Sequence, residues 1–173
     1  PSDSASYLQA ICITSATIWP ELFADSGAKG NIARSIANVT GEDPATLASM
    51  QETKDFYRDY NGAENGRILV DMSLHAEYTS DPATARALAD YARSIDTRMQ
   101  VHVSETKLEH EECIARHGKT PAAYLEETGI FDVPAVAAHC VHATEGRSGD
   151  FPPQRCDGSN QSGKQHEAGQ RHL

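Results

Sequence analysis

Apolar runs alternate with segments carrying helix start and stop signals between residues 29 and 145 of this chain. The runs at 29–39, 67–74, 99–103 and 133–138 have the length and composition of β-strands. Strands separated by helices form parallel sheets with right-handed crossovers. The chain is therefore predicted to be α/β, as part of either a (β/α)8 barrel or a doubly wound sheet.

The intervening segments carry residues that begin and end helices. Thr46 is a plausible N-cap for a helix at 47–60, and Pro82 stands near the first position of one at 82–95. Gly118 follows a charged segment at 107–117, and Thr120 precedes a short helix at 121–128. Neither a G-x-G-x-x-G sequence nor a P-loop follows any predicted strand, so a nucleotide-phosphate cradle is not expected.

The charge and the amino-acid composition of the chain limit the kinds of molecule that it is expected to bind. With 25 acidic and 15 basic residues the net charge is −10, which disfavours nucleic acid and anionic membranes. No segment has the roughly 20 apolar residues of a membrane span, and no signal peptide is expected at the N-terminus. The cysteine spacing suggests neither a disulfide framework nor a zinc ribbon. These features favour a cytoplasmic protein with reduced thiols that acts on a small molecule.

Three histidines occupy equivalent positions in the predicted sheet. His75, His102 and His139 each stand at the carboxyl end of a strand, and Glu105 lies three residues after the second. In a parallel barrel these ends share one mouth, where catalytic residues gather. Imidazoles can bind a divalent metal, and a nearby carboxylate can carry protons. Each histidine could instead be structural, and Arg34, inside the first predicted strand, could simply face solvent.

Several segments resemble one family. H-V-S-E-T at 102–106, A-A-H-C-V at 137–141 and L-H-A-E-Y-T-S at 74–80 are similar to segments of the amidohydrolase superfamily. Among its members, the 5-methylthioadenosine/S-adenosylhomocysteine deaminases are the most similar type. Arg34 falls where that type carries an arginine on a strand. The resemblance covers about residues 20–145.

The resemblance implies a metal-dependent (β/α)8 barrel that deaminates an adenine ring by hydrolysis. It makes His102 a ligand of one divalent metal, expected to be zinc. It makes Glu105 the proton shuttle and a purine contact, and His139 the group that orients or polarises the attacking hydroxide. His75 and Arg34 would contact the substrate, a purine nucleoside. A homo-oligomeric assembly of the intact enzyme is left open.

The chain also departs from the family pattern. It contains no His-x-His sequence, and no strand-borne Asp follows residue 145, so only His102 of the expected metal ligands is present. A single imidazole does not hold a catalytic metal, since such sites use about three protein ligands. The expected product is a partial barrel, about strands three to six, that is catalytically inactive. Another amidohydrolase activity (guanine or cytosine deamination, or ring dechlorination) and a non-catalytic fragment are the alternatives.

The last residues differ in composition from the rest. Residues 146–173 have almost no aliphatic side chains where a barrel helix and strand should follow. Codons that encode 154–173, read one base later, permit a family-like strand followed by N-P-x-S-N-x-K-L. We therefore expect a frameshift near 145–147, with an ordinary disordered polar tail as the alternative. The predicted organisation is an uncertain segment at 1–19, a barrel piece at 20–145 and an irregular tail at 146–173.

Overall fold

Five parallel strands form a single sheet whose spatial order is the same as their order in the chain. The structure is a computed structural model that describes residues 7–12 and 29–143. The strands are β1 (Tyr7–Cys12), β2 (Lys29–Ile36), β3 (Ile68–Leu74), β4 (Met99–Val103) and β5 (Ala135–His139). A doubly wound sheet reverses its strand order at a switch point, and this sheet does not reverse. The predicted parallel α/β architecture is confirmed, and the strand order differs from that of a doubly wound sheet.

Helices connect the strands and cover one face of the sheet. They are α1 (Ala48–Tyr60), α2 (Pro82–Ser94), α3 (Lys107–His117) and α4 (Pro121–Glu127), with a four-residue helical turn at Ala63–Gly66 and single 3-10 turns at Glu77–Thr79 and Ile130–Asp132. Pro82 begins α2, and the αL residue Gly118 ends α3, as predicted. The predicted tail and most of the N-terminal segment lie outside the described residues.

One strand ends well before its predicted end, and one strand was not predicted. The prediction carried β2 to residue 39, but the strand ends at Ile36 because the chain then turns at Asn38. The Asn38 side chain accepts the backbone N–H of Glu42 at 3.0 Å, and Val39 is 76% exposed. β1 was not predicted, and it pairs in parallel with β2.

The two faces of the sheet have opposite chemistry. Alternate residues of β2, β3 and β4 belong to the apolar core under the helices: Ile32, Ile36, Val70, Met72, Leu74, Met99, Val101 and Val103. The residues between them are mostly polar yet buried: Asn31, Ser35, Asp71, Ser73 and Gln100. Because side chains alternate along a strand, this second set lies on the face of the sheet opposite the helices.

A buried carboxylate organises that polar face. Asp71 is 1% exposed. It accepts hydrogen bonds from Asn31 Nδ2 at 2.6 Å, Gln100 Nε2 at 2.5 Å and Arg98 Nη2 at 2.9 Å. Buried charges are tolerated when they are paired and hydrogen-bonded in this way. The network links β2, β3 and β4 below the carboxyl ends that carry the histidines.

Asp81 caps α2, and its replacement is expected to make stability depend less on pH. Its carboxylate accepts the N–H of Thr84 at 2.9 Å and Asn38 Nδ2 at 3.0 Å. Burial raises the pKa of Asp81, but hydrogen bonds from Thr84 and its neighbours outweigh burial and lower it overall. A carboxyl group whose pKa is lowered by folding stabilises the protein at pH values above its pKa in the unfolded chain. That stabilisation is lost as the pH falls through the pKa of the folded state.

Asp81→Ala should therefore lower the free energy of unfolding by about 0.5–2 kcal/mol at neutral pH. The difference from wild type should shrink in acid. Urea unfolding across a pH series measures this, with Asp81→Asn as the control that keeps a capping oxygen without the charge. An Asp81→Ala deficit that stays constant into strong acid would contradict the assignment.

Cys113 and Cys140 are free thiols in the described residues. Burial raises the pKa of the Cys113 thiol to about 12, and the nearby Glu77 carboxylate adds to the effect. Because the thiolate is the reactive form, we expect Cys113 to resist alkylation in the folded chain at mildly alkaline pH. Mass spectrometry after iodoacetamide treatment should find Cys113 labelled only when denaturant is added. Equal labelling with and without denaturant would show that Cys113 is accessible.

No helix in the described part of the chain has the length and apolar character needed to cross a membrane.

Candidate metal and proton-transfer site

The ends of β3, β4 and β5 bring three imidazole rings together. The backbone ladder holds their spacing, since His102 donates its N–H to the carbonyl of His75 at 3.0 Å. The ring centroids of His75 and His102 are 5.4 Å apart in an edge contact. Those of His102 and His139 are 4.9 Å apart and stacked. The three rings therefore form one cluster at the carboxyl edge of the sheet.

His102, His139 and Glu105 form the inner part of this cluster. His102 Nδ1 is 2.8 Å from His139 Nε2, and Glu105 Oε2 is 3.6 Å from that same His139 nitrogen. One ligand atom from each residue lies within 4.8 Å of the others. His102 Nε2 is buried and has no hydrogen-bond partner among the described residues. A buried nitrogen without a partner is costly to keep, so it marks a position where a ligand would be stabilised.

Unusual backbone conformations turn these side chains toward one another. Ser104, His139 and Cys140 have positive φ angles of 50°, 72° and 53°. Such angles are costly for residues other than glycine and concentrate at functional sites. At the end of β5 the turn at His139 and Cys140 brings the His139 ring onto His102. The loop at Ser104 precedes Glu105 and starts the turn into α3.

The surroundings of His102 favour its neutral form. Burial lowers the pKa of His102, and the neighbouring His139 and His75 lower it further, while Glu105 opposes them. A neutral imidazole has a free lone pair, which is the form that binds a metal.

The donor set fits a divalent metal such as zinc. Two imidazole nitrogens and one carboxylate oxygen are a ligand combination that catalytic zinc uses, with further positions left for water and substrate. The observation that best supports this fit is the buried His102 Nε2, for which the described part of the chain provides no hydrogen-bond partner. His102 would hold the metal, and Glu105 and His139 lie close enough to complete a three-residue set.

His75 lies at the edge of the cluster. Its Nδ1 is 3.0 Å from Thr79 Oγ1, which fixes the ring. His75 also contacts Tyr78, a 51% exposed residue whose ring centroid lies 5.9 Å away in an edge contact. Sequence reasoning assigned no role to Tyr78, although the residue stands within the L-H-A-E-Y-T-S segment.

The structure does not bring Arg34 to the cluster. Arg34 shares its side of β2 with Ile32 and Ile36, which belong to the core under the helices. It forms an ion pair with Glu52 of α1 on that face. His102 alternates with the core residues Val101 and Val103 and so lies on the opposite face. The substrate-contacting role of Arg34 thus stays an expectation that rests on resemblance.

Sequence reasoning also missed Glu109, a buried carboxylate of α3 beside the loop that carries Glu105. The signal was present, because Thr106 and Glu109 have the spacing of a capping box.

Solved structures resemble the fold at low sequence identity. A guanine deaminase from C. acetobutylicum with bound guanine matches with a TM-score of 0.68 at 14% identity, over 80% of this chain and 35% of that chain. An adenosine deaminase from Xanthomonas campestris with bound zinc matches with a TM-score of 0.63 at 19% identity, over 77% of this chain and 30% of that chain. At these identities the likeness concerns the fold alone.

Curated relatives are more similar in sequence. A 5-methylthioadenosine/S-adenosylhomocysteine deaminase from Caldanaerobacter subterraneus subsp. tengcongensis is 41% identical over 119 residues, which are 69% of this chain and 27% of the relative. A protein of the same name from Thermoanaerobacter pseudethanolicus is 37% identical over 117 residues, 68% of this chain and 26% of the relative. The chain thus spans about a quarter of the length of these relatives. The model of the Amidohydrolase family matches residues 23–161. On this match, which covers most of its length, the chain belongs to the amidohydrolase family.

Proposed function

We propose that this chain forms part of a metal-dependent hydrolase that deaminates adenosine derivatives such as 5-methylthioadenosine or S-adenosylhomocysteine. The observation that carries the proposal is the cluster of His102, Glu105 and His139, in which the buried His102 Nε2 has no protein partner among the described residues. The curated relatives that share this segment are named for that activity. The partner is a small purine nucleoside, and a net charge of −10 agrees with a ligand other than nucleic acid.

Glu105 and His139 would have different roles in such a reaction. A bound zinc ion would supply Lewis acidity and make a water nucleophilic near neutral pH. In the intact enzyme, where the resemblance places further metal ligands on other strands, Glu105 would be free to take the proton from the attacking water and deliver it to the ring nitrogen beside the carbon that bears the amino group. His139, with its Nε2 at 3.6 Å from Glu105 Oε2, would orient that water. The water oxygen would bond to that carbon, the remaining hydroxyl proton would pass to the amino group, and the carbon–nitrogen bond would break to release ammonia and leave a hypoxanthine ring.

We further propose that the 173-residue chain alone does not turn over substrate. Its sequence has no His-x-His pair, which the resemblance requires as further metal ligands. The described residues form one sheet with five strands, whereas a closed barrel of this type has eight. The substrate would then lack the part of the site that lies on the remaining strands.

A chimera tests the function without requiring the chain to act alone. Residues 29–143 replace the corresponding segment of the Caldanaerobacter relative, and ammonia release from 5-methylthioadenosine and S-adenosylhomocysteine is measured. We expect deamination, and we expect Glu105→Gln to lower kcat by roughly 10²- to 10⁴-fold. Glu111→Gln, an exposed carboxylate of α3, is the control. A folded chimera that binds zinc and deaminates neither compound would overturn the substrate assignment.

A further inference from the structure

A second carboxylate holds the loop that carries Glu105. Glu109 is 7% exposed and lies in the first turn of α3. Its Oε1 accepts the backbone N–H of Ser104 at 2.9 Å. Its Oε2 accepts the N–H of Glu105 at 2.8 Å and that of Thr106 at 3.4 Å. One side chain therefore accepts the N–H groups of three successive residues. We call these residues, Ser104 to Thr106, the 104–106 loop.

These bonds exceed what a helix cap requires. In a capping box the N3 side chain accepts the N–H of the N-cap residue, which here is Thr106. That bond is the longest of the three, and the two shorter ones go to Ser104 and Glu105, which precede the helix. Charge-assisted bonds to a carboxylate are about twice as strong as neutral ones. The main effect of Glu109 is therefore on the loop rather than on α3.

The same loop is held from other sides. Ser104 has a φ angle of 50°, and its carbonyl accepts the N–H of His142 at 3.1 Å. Its hydroxyl lies 3.1 Å from His110 Nδ1. Glu105 follows directly, and its side chain is 49% exposed, with His139 as its contact. Since the Glu105 carboxylate has no other hydrogen bond or ion pair within the described residues, the backbone of the loop decides where that carboxylate stands.

We propose that Glu109 is a positioning residue that keeps the Glu105 carboxylate beside His139 by fixing the 104–106 loop. The proposal rests on the proposed function for the chemical role of Glu105. It does not rest on that function for the geometry, which can be measured without metal or substrate.

The test is a comparison of His139 ring signals by NMR in the full chain without metal. Glu105→Gln is introduced into wild type and into Glu109→Ala, and the shift it causes at the His139 ring is measured in each. We expect a clear shift in the wild-type background and a small fraction of it in the Glu109→Ala background. A shift of equal size in both backgrounds would overturn the proposal.

Two controls separate positioning from helix capping. Thr106→Ala removes the other half of the capping box, the bond from Glu109 N to Thr106 Oγ1 at 3.1 Å, and leaves the carboxylate of Glu109 in place. It should retain the full Glu105-dependent shift. Glu111→Gln changes a 62% exposed carboxylate on the same helix and should also retain it. Loss of the shift in Thr106→Ala would mean that capping alone explains the effect and would overturn the proposal.

A gentler variant covers the case in which Glu109→Ala does not fold. Glu109→Gln keeps one acceptor oxygen and should leave an intermediate shift, so an unchanged shift in this variant counts against the proposal.

Zinc affinity gives a second readout by calorimetry. Glu109→Ala should weaken zinc binding by roughly 10- to 100-fold, as is typical of groups that orient ligands. In a chain that already carries Glu105→Gln, Glu109→Ala should cause little further loss of zinc affinity. Fully additive losses would contradict positioning through Glu105. If wild type binds no zinc, the proposed function loses its support, and the ring signals still decide the role of Glu109.

Discussion

Replacing His102 with alanine is expected to lower the zinc affinity of the full chain by more than about 100-fold, because loss of groups that merely orient ligands already costs about 10- to 100-fold. His102 supplies a buried Nε2 that has no hydrogen-bond partner within residues 29–143, and its ring lies between those of His75 and His139. Calorimetric titration with zinc measures the effect directly.

The matched control is His117→Gln. His117 lies at the end of α3, stacked on Tyr124 with ring centroids 4.2 Å apart, and is not part of the cluster. Its substitution should leave zinc affinity within experimental error of wild type. Equal losses in the two variants, or unchanged affinity in His102→Ala, would mean that zinc binds somewhere else.

Replacing Asp71 with alanine is expected to destabilise the fold by about 3–5 kcal/mol, since it removes the buried carboxylate of an ion pair on which two buried amides also converge. The buried amides of Asn31 and Gln100 both donate to this carboxylate, and Arg98 pairs with it. A change of that size is a large fraction of the 5–15 kcal/mol stability of an ordinary domain. Urea denaturation followed by circular dichroism measures it.

Asp90→Ala is the control for charge removal. Asp90 also pairs with an arginine, Arg93, at 2.8 Å, but its side chain is 64% exposed. Exposed pairs contribute about 0–1 kcal/mol, so this variant should remain close to wild type. If Asp71→Ala proved as mild as Asp90→Ala, the buried network would not be a determinant of stability.

Local signals in the sequence were sufficient for most of the sheet. β4 begins and ends at the predicted residues, and β3 begins one residue later than predicted. Pro82, Gly118 and Thr120 mark helix boundaries as predicted, whereas the predicted cap Thr46 is wrong, because the N-cap of α1 is Leu47. β1 was missed because residues 8–18 show no clear period. β2 was predicted too long because Val39 is apolar, although it is exposed once Asn38 has turned the chain.

The site was only partly predictable from the sequence. Strand ends indicate that His75, His102 and His139 share one edge, because parallel strands align their carboxyl ends. The distance of 2.8 Å between His102 Nδ1 and His139 Nε2 depends on a positive φ angle at His139. The sequence does not predict this angle, because the residue at that position is not a glycine. The position of Arg34, in contrast, could have been predicted from the sequence. Arg34 shares the two-residue period of Ile32 and Ile36, so it belongs on the face that the helices cover.

The measurement that tests the central claim most directly is anomalous X-ray diffraction at the zinc absorption edge, on crystals of the full chain grown with zinc. The claim is that His102, Glu105 and His139 form a divalent metal site at the carboxyl edge of this sheet. We predict an anomalous peak in contact with the His102 ring and next to Glu105 and His139. Zinc bound only at other side chains, with no peak at this cluster, would contradict the account.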